Sequence, residues 1–97
     1  MRMMVKFMAP VEKSNRAFND GTIESTIRTI VETFKPEATY FTTIEGKRGG
    51  FMVFDMTDPS QIPQIAEPLF HNLEAAVEFV PVMNIEDLQR GIAAARS

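Results

Sequence analysis

Cysteine is absent from the 97-residue chain. Its absence excludes disulfide bonds, thiolate nucleophiles and thiolate metal ligands, and it is typical of a reducing compartment. Long apolar runs are also missing: the apolar segment Met3–Ala9 is interrupted by Lys6 and is too short for a signal-peptide core or a membrane span. We therefore expect a cytoplasmic protein with no membrane partner.

An excess of positive charge is missing as well. Ten Lys and Arg residues stand against 13 Asp and Glu residues, for a net charge of −3, and Lys47–Arg48 is the one pair of adjacent basic residues. Proteins that bind nucleic acids need clustered basic residues to contact phosphates. The composition therefore predicts no nucleic-acid partner.

The length of 97 residues suits one domain, spanning residues 1–97. A chain of this size buries about 65% of the surface that it exposes when unfolded, which is a thin margin for one core. Association with a second copy would bury more apolar surface.

Apolar periodicity and turn residues predict four strands, at Met3–Met8, Ala38–Glu45, Phe51–Met56 and Ala75–Val82. Three helices are predicted: Thr22–Phe34 with Thr22 as its N-cap, a second opened by Asp58-Pro59-Ser60, and a third capped by Asn84.

The predicted connections rest on turn residues and proline. Residues 11–21 are predicted to be a polar connection, and residues 46–50 a glycine-rich hairpin turn. Pro68 is expected to break or kink the second helix, because proline has no amide hydrogen.

This β-α-β-β-α-β order, followed by a C-terminal helix, predicts a ferredoxin-like α+β sandwich with a four-stranded antiparallel sheet. Right-handed crossovers place both main helices on one face of that sheet. The strands at Phe51–Phe54 and Phe79–Val80 do not alternate between apolar and polar residues, so both sheet faces need to be covered. The simplest cover for the second face is a second copy, which predicts a homodimer through the sheet face.

Three segments carry a family resemblance: Val53-Phe54-Asp55-Met56, Asp58-Pro59-Ser60 and Glu78-Phe79-Val80-Pro81-Val82-Met83. With the element order, they resemble the dimeric α+β-barrel superfamily, in particular the muconolactone-isomerase-like small bacterial proteins. The resemblance implies a homodimer with a cleft between sheet and helices. Members use that cleft for isomerisation, cofactor-free oxygenation, haem chemistry or binding, and no isomerase catalytic residue carries over to this chain.

Polar residues inserted into apolar strands are the first candidates for chemistry, because burial without a partner costs free energy. Lys6, Asp55 and Glu78 are of this kind. A carboxylate facing a cleft could act as a general acid or base, which makes Asp55 a catalytic candidate, with Lys6 and Glu78 as substrate-binding candidates. The alternative is a structural ion pair of Lys6 with either carboxylate.

His71 is the single histidine and the second catalytic candidate, as a proton shuttle or ligand. The alternative is a surface residue near a helix end. We expect no metal, because no second His or Cys stands at ligand spacing. His71 is also the sole axial candidate for a haem-degrading monooxygenase, which ranks third among the functional hypotheses.

Tyr40 and Arg48 complete the substrate-binding candidates. Tyr40 could orient a substrate oxygen, or it could be a cross-strand aromatic residue with its hydroxyl at the rim. The residues around Arg48 lack the spacing of a nucleotide-binding loop, which favours a simple hairpin, although Arg48 could still gate a cleft or bind a carboxylate. Polar residues before the first helix, including Asn15, either line a site or form a solvated connection.

Two functions follow from these candidates. The first is a dimeric protein that binds a small organic molecule between sheet and helices, as a binder or a cofactor-free isomerase or oxygenase. The alternative is a non-catalytic homodimeric structural or regulatory module. It predicts a filled interior and an exposed apolar patch near the C-terminal helix, at Ile85, Leu88 and Ile92.

Overall fold

Four strands and four helices make up residues 1–97, which the computed structural model describes. Their bounds, in chain order, are β1 Arg2–Ala9, α1 Val11–Asn19, α2 Thr22–Phe34, β2 Ala38–Ile44, β3 Lys47–Asp55, α3 Gln61–Leu73, β4 Ala76–Pro81 and α4 Ile85–Ala95. The strands form one antiparallel sheet in the order β2-β3-β1-β4. This confirms the predicted α+β fold and its ferredoxin-like arrangement.

Strand β1 lies inside the sheet and determines which face is the core. Its alternate residues Met3, Val5, Phe7 and Ala9 are buried, while the residues between them are only half-buried. Adjacent side chains on a strand point to opposite faces, so the buried set defines the face that packs against the helices. Each fully buried large apolar side chain contributes about 1.5–3 kcal/mol to stability.

The core on that face joins β1 and β3 to the helices. Met52 and Phe54 of β3 pair with Val5 and Met3 and share their face. Helices α1, α2 and α3 contribute buried apolar side chains to the same cluster, namely Ala17, Ile30, Ile65, Leu69 and Leu73.

The opposite sheet face, which we call the open face, holds half-exposed apolar side chains. The register places Met4 and Met8 of β1 on this face together with Phe51 and Val53 of β3. Helices α1 to α3 bury their apolar residues on the other side and leave the open face uncovered. The sheet therefore has apolar residues on both faces, as the strand sequences indicate.

The hairpin between β2 and β3 is tighter than predicted. Its turn is Glu45-Gly46, with φ of 52° and 76°, so the predicted five-residue turn over residues 46–50 is wrong. Two-residue hairpin turns with positive φ match the twist of the flanking strands. Gly49 and Gly50 belong instead to β3, where neighbouring backbones approach closely: an added Cβ would lie 2.5 Å from the Phe7 carbonyl oxygen at Gly49 and 2.6 Å from the Tyr40 carbonyl oxygen at Gly50.

The predicted polar connection over residues 11–21 is also wrong, because Val11–Asn19 forms helix α1. The residues that α1 buries are Ser14 and Ala17, at helical spacing. These side chains are small or polar, so they do not produce the large apolar stripe by which an amphipathic helix is found in a sequence.

Helix α3 runs through Pro68 without the predicted break. The buried residues Ile65 and Leu69, at 1% and 0% exposure, hold the helix against the core on either side of the proline. Tertiary packing therefore outweighs the hydrogen bond that Pro68 cannot donate.

The helix caps agree with the predictions in part. Asn84 caps α4 as predicted: its side chain accepts a hydrogen bond from the Asp87 backbone N–H at 2.8 Å, and the Asp87 carboxylate accepts one from the Asn84 N–H at 3.1 Å. Thr22 is the first residue of α2 and not its cap; Gly21 occupies the cap position, with φ of 83°.

No helix of the chain has both the length and the apolar character needed to cross a membrane.

Replacement of Gly49 by alanine tests the close strand approach. We expect Gly49→Ala to lower the free energy of unfolding by about 1–3 kcal/mol, because its Cβ would meet backbone that cannot move freely. Gly91→Ala in α4 is the matched control: nothing lies within 4 Å of its Cβ position, so a gain of about 0.5–1 kcal/mol is expected. Urea unfolding followed by circular dichroism measures both, and equal effects of the two substitutions would contradict this account of β3.

Candidate functional site

An apolar cavity lies between the sheet and the helices, near the end of β1. Its volume is about 260 Å³, and its apolar lining comes from strands and helices alike: Phe7, Ile23, Ile27, Phe41 and Leu73. Sites for drug-sized ligands have volumes of about 300–1,000 Å³. The cavity therefore suits a small organic molecule.

Small residues leave the space that the cavity occupies. Gly50 faces the helices opposite Phe7, and a Cβ there would come within 3.0 Å of both the Phe7 and the Phe41 rings. These two rings meet edge to face, with centroids 6.3 Å apart. The lining itself contains the small residues Ala9, Ser14 and Gly49. A large side chain at Ala9 or Ser14 would fill part of the gap that the sheet and helices leave.

Arg48 is the one charged residue in the cavity lining. Its Nη1 donates hydrogen bonds to Ser14 Oγ and Asn15 Oδ1, both at 2.8 Å. Its guanidinium carbon lies 5.5 Å from the centroid of the Phe18 ring, within the range of a cation–π interaction. These contacts tie β3 to α1 and place a positive charge at the rim of an almost wholly apolar cavity.

Two exposed phenylalanine side chains belong to the same lining. Phe18 is 66% exposed and Phe41 is 60% exposed. Neighbouring exposed aromatic side chains at a concave surface are typical of a binding site.

The other substrate-binding candidates lie on the open face, away from this cavity. Lys6 and Glu78 stand directly opposite each other on β1 and β4. Tyr40 stands opposite Phe51 on the same face and is 71% exposed. Of the four residues predicted to bind a substrate, Arg48 alone lines the cavity.

Asp55, a catalytic candidate, lies at the end of β3 opposite Arg2. Its carboxylate accepts a hydrogen bond from the Met1 amino group at 2.8 Å, and this bond lowers the pKa of Asp55 below its ordinary value. A general acid near neutral pH needs the opposite shift, because it must hold its proton there.

His71, the other catalytic candidate, lies on the outer surface of α3. Its side chain is 77% exposed, and its Nε2 is 3.6 Å from Glu67 Oε2, one helical turn earlier. Neither His71 nor Asp55 lines the apolar cavity. The chain has no group of three His, Cys, Asp or Glu residues placed to hold a metal ion.

A second depression, near Asp55, has its charges paired within the protein. Arg2 donates from Nε to Glu37 at 2.7 Å and from Nη1 to Asp87 at 3.3 Å. The hydrogen bond to Glu37 raises the pKa of Arg2 above its ordinary value. This depression therefore offers no unpaired guanidinium to a ligand, in contrast to the cavity at Arg48.

Sequence reasoning missed Ser14 and Phe18, because both lie in the helix that was predicted as a connection. The signal that could have found them is the spacing of Ser14, Ala17 and Phe18 at three and four residues, with a small residue in place of a large apolar one.

The chain is thus a ferredoxin-like α+β protein with an apolar cavity between sheet and helices and a single guanidinium in its lining. It belongs to the DUF3303 family, described as a domain of unknown function, whose model matches residues 1–96. No curated protein matches the chain.

Proposed function

We propose that the protein binds a small, mainly apolar organic molecule in the cavity between sheet and helices. The observation that carries this proposal is a difference in packing density between the two ends of the same core. Beneath Val5, Met52 and Phe54 the packing leaves no room for a water molecule. Beside Phe7, at the other end of the same face, about 260 Å³ stays open.

The lining supports binding better than acid–base catalysis. It contains no Asp, Glu, His, Lys or Tyr, and its polar side chains are Ser14, Thr42, Thr43 and Arg48. Isomerisation by proton transfer needs a group whose pKa is near the working pH. We therefore place binding ahead of cofactor-free isomerisation or oxygenation.

A variant that fills the cavity tests the proposal. Thr43 is an exposed cavity residue on the edge strand β2, so Thr43→Trp adds a ring to the cavity without disturbing buried neighbours. Titration of the wild type with benzyl alcohol, followed by ¹H–¹⁵N NMR, should shift the Phe7, Ile27 and Leu73 resonances with a Kd on the order of 1 mM. We expect Thr43→Trp to abolish these shifts.

The matched control is Thr57→Trp, which adds the same ring at an exposed position outside the cavity lining. It should bind benzyl alcohol like the wild type. Equal binding by the Thr43→Trp variant, or shifts confined to the open face, would refute the cavity as the site.

We also propose that the protein is a homodimer through the open face. The chain exposes 6278 Å² of surface, whereas a compact monomer of its mass exposes about 5,600 Å². The excess of about 700 Å² is close to the roughly 800 Å² that each partner buries in a standard protein interface. A second copy seated on the open face would bury an area of this order.

Helix α4 adds to the surface available for such an interface. None of its residues is buried, and Ile85, Leu88 and Ile92 are 60%, 40% and 42% exposed. The molecule is elongated, with a radius of gyration of 15.3 Å, against about 12.5 Å for a compact domain of this length. The resemblance to dimeric α+β-barrel proteins supports the same assembly.

A charge placed on the open face tests the dimer. We expect the wild type to sediment at about twice 10.9 kDa and Phe51→Asp to sediment as a monomer, because a buried, unpaired carboxylate would oppose association. Phe70→Asp, on the outer surface of α3, is the control and should stay dimeric. A wild type that sediments as a monomer at micromolar concentration would refute this assembly.

A non-catalytic homodimeric module is the second candidate function. The exposed apolar residues of α4 favour it, since they lie outside the cavity lining and are available to a partner. A dimer in which benzyl alcohol shifts no cavity resonance would support this function over ligand binding.

A further inference from the structure

We propose that the natural ligand of the cavity is an apolar molecule carrying a single carboxylate, which pairs with the Arg48 guanidinium. This inference rests on the proposed binding function and specifies the chemical class of its ligand. It follows from how Arg48 differs from the other arginines of the chain.

Four of the six arginines already have a carboxylate partner in the protein. The pairs are Arg2 with Glu37 and Asp87, Arg16 with Glu12, Arg28 with Glu24, and Arg90 with Asp87. Arg96, at the end of α4, and Arg48 are the two that form no salt bridge. Of these two, Arg48 is fixed by side-chain hydrogen bonds and lies, exposed, at the rim of a cavity whose wall is almost wholly apolar.

The hydrogen bonds of Arg48 orient its guanidinium and leave most of its donors available. Only Nη1 is used, by the neutral oxygens of Ser14 and Asn15. Nε and Nη2 carry three further N–H donors, and together they form an edge that matches the two oxygens of a carboxylate. A neutral ligand would leave these donors to water and the charge unpaired.

The lining also limits the charge of the ligand. Arg48 supplies one positive charge, and no Lys, His or second Arg lines the cavity. A phosphate monoester carries close to two negative charges at neutral pH and is usually held by several cations or backbone N–H groups. One carboxylate balances one guanidinium, and the remaining apolar lining suits a hydrocarbon or aromatic body.

Two probes of the same shape test the inference without altering the protein. Phenylacetate and phenylacetamide differ at one atom, a carboxylate oxygen replaced by an amide nitrogen. Titrations of the wild-type protein, followed by ¹H–¹⁵N NMR at low salt, should show phenylacetate binding at least about tenfold more tightly than phenylacetamide. Phenyl phosphate should bind more weakly than phenylacetate.

Substitution of Arg48 then separates its charge from its hydrogen-bond geometry. Arg48→Met should abolish the preference for phenylacetate, so that the ratio of the Kd values for phenylacetamide and phenylacetate falls to about one. Arg48→Lys keeps the charge but loses the bidentate edge, so it should retain only part of the preference. The control Arg28→Met removes an arginine of the α2 surface pair with Glu24 and should leave the preference unchanged.

Three outcomes would overturn the inference. Equal binding of phenylacetate and phenylacetamide, at the cavity residues, would refute the carboxylate while leaving the proposed binding function in place. Tighter binding of phenyl phosphate would assign the site to a different anion. Binding of neither aromatic probe would refute this inference and the proposed function together.

Discussion

One-sided burial of strand β1 is the constraint on which the rest of the structure depends. Met3, Val5, Phe7 and Ala9 lie under the helices, and this fixes the register that brings Met52 and Phe54 to the same face. A shift by one residue would turn every one of these side chains to the opposite face. The same constraint leaves Met4, Met8, Phe51 and Val53 together on the open face.

The cavity follows from where the large side chains on the buried face stop. Phe54 and Met52 fill one end, whereas Gly50 leaves no side chain at the next position of β3 on that face. The rings of Phe7 and Phe41 lie beside this glycine, and Arg48 stands two residues earlier in β3 on the same face. The edge of the core thus becomes a concave apolar surface that ends at a guanidinium.

Much of the fold was predictable because it depends on local patterns. The apolar stripe of α2 and the Asn84 cap with its Asp87 partner express a helical period and a short hydrogen-bonded motif. Helix α1 was missed because the core at this place accepts Ser14 and Ala17, and small side chains leave no apolar stripe. The strand position of Gly49 and Gly50 depends on the approach of Phe7 and Tyr40, which are distant in the sequence.

The candidate site was less predictable for the same reason. The sequence puts Arg48 in a hairpin turn, where it could gate a cleft or bind a carboxylate, but the structure places it in β3, facing the helices. Its hydrogen-bond partners, Ser14 and Asn15, are more than 30 residues away in the sequence. Polar residues in apolar strands, such as Lys6 and Glu78, were easy to notice, yet their side chains belong to the open face. Only the sheet register distinguishes these two groups.

The central claim, a dimer that holds a small organic acid in each protomer, is tested most directly by native mass spectrometry of the protein purified without a tag. We expect a species at about twice 10.9 kDa that carries up to two small adducts, and fragmentation of the complex should release a carboxylic acid. An Arg48→Met sample prepared in parallel should retain the dimer and lose the adducts. A monomer near 10.9 kDa, or adducts that are equally abundant on the Arg48→Met protein, would contradict it.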